Sequence, residues 1–258
     1  MAQAAADLRA GQDQSATARA AWGLSALTQD ELGAALRWAA DLPAEDAVKD
    51  HLAGVILGLW ANHDLDAAWS AYREFPNPKE RFSEPLSECG HHLFLKRWHR
   101  GPAACIAGLK SGNSAEETGA RRAAQTIHAS RTDRERWMQE VASTASDEAR
   151  CAGAWSTILW AGEAASERAE VFPWLVALPF HDPGQRILAM GSLMGEVADD
   201  AEMEPAFSSW IGSLEGEAAT STRQWLLEAA LRAPEAERLK LSRKLEDPIL
   251  RRAIQESL

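Results

Sequence analysis

Tyrosine occurs once in 258 residues, cysteine three times, and Val, Ile, Thr and Tyr together only 24 times. Strand formers this scarce, set against abundant Ala, Leu, Glu and Arg, exclude a sheet-built core and predict an all-α fold. Cys89, Cys105 and Cys151 are odd in number and widely separated, which excludes a disulfide framework and predicts buried thiols in a reducing cytoplasm. The first twenty residues have no apolar core of the kind a secretory signal needs. Apolar stretches such as Leu52 to Ala61 fall short of the ~20 residues that cross a bilayer, so no membrane partner is expected. No G-x-S-x-G, P-loop, G-x-G-x-x-G, H-E-x-x-H or paired C-x-x-C is present, and the sequence predicts no catalytic residue, cofactor or metal.

What is present is a composition able to bury a core, 46% hydrophobic and 25% charged, with eleven tryptophans. A core residue followed four positions later by another recurs as Trp38/Leu42, Ala71/Phe75, Cys105/Leu109, Trp137/Val141, Trp174/Leu178, Trp210/Leu214 and Leu241/Leu245. The spacings of 33, 34, 32, 37, 36 and 31 residues are those of a helical hairpin repeat. Residues four apart share a helix face, so each pair can pack against a neighbouring hairpin. This pattern predicts a right-handed α/α superhelical solenoid of about seven hairpins, with residues 1–20 loosely ordered and 21–258 forming one repeat domain.

Helix boundaries are legible in the same way. Leu42-Pro43, Phe75-Pro76 and Leu178-Pro179 predict stops, as do Gly112 and Gly216. Thr28 with Glu31, Ser114 with Glu117 and Thr132 with Glu135 have capping-box spacing. Asn77-Pro78, Asp182-Pro183 and Asp247-Pro248 place a capping side chain before a proline that tolerates the first helical position. Fourteen helices between residues 29 and 256 follow, one of them over 78–99.

The run Trp60-Ala61-Asn62-His63-Asp64-Leu65-Asp66-Ala67-Ala68-Trp69, ending at Phe75-Pro76, resembles a W-A-x-x-D-P-x-x-A-x-x-W-x-x-x-L-P repeat of uncharacterised bacterial α-helical proteins. Leu65 stands in place of the usual proline, and partial echoes lie at Leu36 to Pro43 and from Trp160-Ala161 onward. The resemblance implies a HEAT- or tetratricopeptide-like solenoid and brings no known activity with it.

Net charge is −11, which speaks against a dedicated nucleic-acid binder. Residues 96–136 are the exception, with a net +5. Lys96, Arg97, Arg100, Arg121, Arg122, Arg131 and Arg134, with Trp98 as an apolar anchor, are predicted to receive an acidic protein or peptide on a scaffold that is not an enzyme. The alternative is that these arginines pair with Glu116, Glu117, Asp133 and Glu135 on solvated faces. A nucleic-acid-binding protein, resembling in architecture the helical-repeat DNA alkylation repair family, is the competing class.

Two smaller clusters carry ligand-type residues. Cys89, His92, Lys96 and His99 fall within about 80° of one helix face beside His91, yet lack zinc-site spacing and predict a boundary thiol with solvent-facing histidines. Asp199-Asp200-Ala201-Glu202 resembles the magnesium-binding cluster of isoprenoid-processing helical enzymes, but the partner motif is missing and a polar loop is predicted.

Overall fold

Sixteen α-helices and no strand form among the described residues of the computed structural model, namely 1–11, 14–43, 46, 48–76, 83–160, 165–200 and 202–258. The all-α expectation holds. Two compact units form, residues 1–124 and 125–258.

The first unit contains α1 (Ala2–Ala10), α2 (Gln14–Leu24), α3 (Gln29–Ala40), α4 (Val48–His63), α5 (Leu65–Glu74), α6 (Glu84–Trp98), α7 (Ala103–Gly108) and most of α8 (Ser114–His128). Here α4 packs against α2 and α6 as well as against its chain neighbours α3 and α5. The second unit contains α9 (Arg131–Ser143), α10 (Asp147–Trp160), α11 (Ala165–Ala177), α12 (Pro183–Asp199), α13 (Met203–Ser213), α14 (Gly216–Arg232), α15 (Glu235–Lys244) and α16 (Pro248–Gln255). Its even-numbered helices run α10, α12, α14, α16 in successive contact, and α11 packs on α13.

Within the segment expected to be loosely ordered, residues 2–10 and 14–20 are helical. Their alanines have the highest helix propensity of any residue, and α1 and α2 bury Ala4, Ala5, Leu8, Ala16, Ala20 and Leu24 against each other and α4. Propensity and tertiary packing together outweigh a weak amphipathic pattern.

All seven repeated pairs fall at the ends of odd-numbered helices, α3 through α15. Cys105, Trp137, Val141, Leu178, Leu241 and Leu245 are among the most buried residues of their units, whereas Trp38 stays 38% exposed. In the first unit Trp69 meets Phe94 edge to face at 4.7 Å, and in the second Phe172 bridges Phe207 and Trp210 at 5.9 and 5.3 Å. Such pairs add about 0.5–1.5 kcal/mol beyond burial of their area.

Several boundaries sit where the sequence places them. Thr28 and Glu31 close a reciprocal capping box. Asp182 accepts from Gly184 N–H at 2.8 Å, and Asp247 from Ile249 and Leu250 N–H at 3.1 and 2.9 Å. Two caps are displaced upstream. Asn113, not Ser114, accepts from the Ala115 and Glu116 N–H groups, and Ser130, not Thr132, accepts from Asp133 N–H. In both places the earlier residue offers an equally good capping oxygen and lets the helix gain residues. Gly112 and Gly216 adopt φ of +75° and +62°, which a side chain would strain, so both turns depend on glycine. The expected start at Asn77-Pro78 and the repeat echo from Ala161 lie outside the described residues. α6 is capped by Ser83, which accepts from Leu86 N–H.

α6 and α8 cross where Gly90 faces Gly119. A Cβ built on Gly119 would stand 2.8 Å from the Ser87 carbonyl oxygen and 2.9 Å from the Gly90 carbonyl carbon and the His91 nitrogen. Backbone cannot yield there as a side chain could. Gly119→Ala should therefore destabilise the protein by about 2 kcal/mol or more. Gly191→Ala, in the interior of α12 with nothing within 4 Å of its new Cβ, should stabilise by about 0.5–1 kcal/mol. Urea denaturation of both variants checks the pair of signs.

Candidate functional site

The basic residues of 96–136 reach carboxylates and amides one repeat away. Lys96 donates to Asn62 Oδ1 at 2.5 Å, 34 residues back, and Arg97 pairs with Asp66, 31 back, while lying over the Trp69 ring at 5.3 Å. Arg122 pairs with Glu84 at 2.7 Å and with Glu88 at 3.1 Å. In the second unit Arg134, itself buried, pairs with Glu167 at 3.1 Å, 33 residues on. Arg121 and Arg131 make within-helix pairs with Glu117 at 3.3 Å and Glu135 at 3.1 Å, and Arg131 also reaches Glu170 at 3.6 Å. Arg100 is exposed in the turn that closes α6. Trp98, the expected anchor, is only 2% exposed, because its side of α6 faces the core with Leu93 and Phe94. Lys96, Arg97, Trp98, Arg100, Arg121 and Arg122 belong to the first unit, Arg131 and Arg134 to the second. Their charges are largely matched by neighbouring acids, which a count along the sequence cannot register.

The same lateral packing opens a cleft of about 800 Å³ over α2, α4 and α6. Small residues make room for it: Ala18 and Ala21 from α2, and Gly54 from α4, whose Cα approaches the Pro85 carbonyl so closely that a Cβ would sit 3.1 Å from it. The polar lining comes from Gln14, Thr17, His51, Glu84, Glu88 and His92. Thr17 Oγ1 and His51 Nε2 are 2.8 Å apart across the cleft floor. Trp22, four residues after Ala18 and so on the same face of α2, is 84% exposed, the most exposed large apolar side chain among the described residues. An exposed tryptophan beside a concave, mixed surface is the signal that sequence reading missed. Trp22 lies outside the seven repeated pairs, and its exposure depends on which face of α2 the neighbouring helices leave uncovered.

Beside the cleft, Glu88 Oε1 lies 3.7 Å from His91 Nδ1 and 3.3 Å from His92 Nε2. The two imidazoles stack at 5.3 Å between centroids. Of the helix face that carries Cys89, His92, Lys96 and His99, the two histidines face solvent as expected, but the thiol is in the core and not at a boundary. Cys89 is buried, and burial pushes its thiol up to about 12, whereas His92 points to solvent and His99 caps the far end of α6. Cys105 is buried likewise, and all three cysteines are free thiols.

The acidic run at 199–202 is divided among separate partners. Asp199 pairs with Lys240 at 2.7 Å, Asp200 with Arg168 at 2.6 Å, and Asp200 Oδ1 also accepts from Glu202 N–H at 2.8 Å, as expected of a polar inter-helix loop. No helix among the described residues is long and apolar enough to cross a membrane. No family model, curated protein or solved structure matches the chain.

Burial holds the His51 imidazole below its ordinary pKa, and burial does the same to His91 against the opposing pull of Glu88. Both rings are then neutral in the folded chain at pH values where the unfolded chain takes up a proton. Stability is full above the unfolded imidazole value and falls as pH drops through it. Lowering pH from about 7.5 to about 5.5 should reduce the thermal midpoint, and His51→Gln should flatten that decline. A calorimetric pH series on both proteins measures the difference.

Proposed function

We propose that the chain is a right-handed α/α solenoid that works in the cytoplasm as a non-enzymatic interaction scaffold, and that it receives a segment of a partner protein in the α2, α4, α6 cleft. The observation that carries this reading is the exposed Trp22 flanking a concave surface lined by both small apolar and hydrogen-bonding groups. Tryptophan is among the residues that most often dominate binding energy, and no intramolecular packing accounts for one this exposed. The solenoid form is supported by the repeat of 31 to 37 residues falling on every second helix, and by lateral packing of the even-numbered helices within each unit.

An acidic partner at residues 96–136 is less favoured. It would have to displace Asp66, Glu84, Glu88 and Glu167 from cations they already neutralise. The nucleic-acid reading depends on the same cations and is weakened by the same argument.

The test is affinity capture from the source cells with and without nuclease, comparing the parent with Ala18→Arg and Trp22→Ala. Ala18 and Trp22 are both exposed, so neither change should alter helical content or melting temperature. Removing the tryptophan that flanks the cleft should weaken partner binding by about 30-fold or more, equivalent to about 2 kcal/mol. A partner that both variants retain, or one lost only with nuclease, would refute the cleft as the docking surface.

A further inference from the structure

We propose that Glu88, His91 and His92 of α6 form a binding site for a single first-row divalent cation, zinc being the probe of choice, at the edge of the α2, α4, α6 cleft. The spacing E-x-x-H-H sets the carboxylate one helical turn before both imidazoles, so three donors of the kind that borderline metals prefer meet on one helix. One donor atom from each residue lies within 4.8 Å of the others, with Glu88 Oε1 central at 3.7 Å from His91 Nδ1 and 3.3 Å from His92 Nε2. Bonds of about 2.1 Å to a tetrahedral zinc place its ligand atoms about 3.4 Å apart, so modest side-chain rotations complete the set.

The surroundings favour this use of the carboxylate. Arg122 holds Glu88 by Oε2 at 3.1 Å, leaving Oε1 toward the histidines, the role that outer partners play around metal ligands. The repulsion a guanidinium would exert on a cation is offset by Glu84, which Arg122 also engages at 2.7 Å. His91 has 20% of its side chain exposed and His92 64%, so one ligand is fixed by packing while the other can adjust. Glu88 and His92 both line the cleft, so coordination positions that the protein leaves open face it. Cys89 takes no part, since its side chain is buried and lies outside the cluster of donor atoms.

The ordinary alternative is that the histidines only share a surface ion pair with Glu88. The inference does not depend on the partner reading, because it is measured on the isolated chain. Isothermal titration of zinc chloride into the full, untagged protein near neutral pH should show one saturable equivalent. His92→Ala and Glu88→Gln should each weaken that binding by about 100-fold, whereas His99→Ala should match the parent. Both sites are exposed, so metal-free melting temperatures should be unchanged, and zinc should raise the melting temperature of the parent but not of the two ligand variants. Absence of a saturable one-to-one isotherm in the parent, or its survival in both ligand variants, would overturn the proposal.

Discussion

A helix of six to thirteen residues cannot bury its apolar stripe alone, and the odd-numbered helices of α3 to α15 are all of this length. Their stability comes from the side chains of the last turn, which insert against the neighbouring helices of the same unit. Trp137, Val141, Cys105 and Leu245 are inaccessible to solvent, and Leu178, Leu109 and Phe75 nearly so. Each such burial contributes about 1.5–3 kcal/mol, and each is possible only when the adjacent helices are in place. The placement of α4 between α2 and α6, and of α12 between α10 and α14, follows from this mutual dependence. So does the cleft, which lies over three laterally packed helices.

A second, polar register runs with the same period. Arg97 with Asp66, Arg122 with Glu88, Arg168 with Asp200 and Arg134 with Glu167 are 31, 34, 32 and 33 residues apart, and Gln29 with Asp64 is 35. Trp174 Nε1 donates to the Met138 carbonyl across 36 residues. These pairs sit where one repeat faces the next within a unit. Exposed members contribute little individually, about 0–1 kcal/mol, but they fix which residues are opposite one another.

That register explains what was and was not legible in the sequence. The helical class, the seven helix-ending pairs and the caps at Thr28, Asp182 and Asp247 depend on residues within a turn or two of each other, and local spacing is visible in one dimension. The matching of the 96–136 cations depends on residues a full repeat away, so a running charge count reads as a basic island what the fold turns into ion pairs. Trp98 was legible as a tryptophan on a helix but not as a core residue, because facing depends on which flank of α6 meets its neighbours. The helices at 2–10 and 14–24 escaped because an alanine-rich helix has little amphipathic contrast, and only burial against α4 reveals its packed side. The candidate site was half visible: His92 was singled out, but it was grouped with Cys89 and His99 instead of Glu88.

α6 shows how packing and binding can be separated along one helix. Leu86, Leu93, Phe94 and Trp98 fill the core, Gly90 leaves room for the Tyr72 hydroxyl, and Gly119 of α8 approaches the α6 backbone more closely than a side chain would permit. Those positions are committed, and substitution there tests the fold. Glu88 and His92 occupy the remaining arc, half or more exposed, where they support no core contact. Their neighbour His91 lies between the two regions, 20% exposed and stacked on His92. A site made of one packed and two adjustable ligands can be altered without unfolding the helix that carries it. The exposed Glu88 and His92 are therefore the positions at which loss of binding can be distinguished from loss of structure.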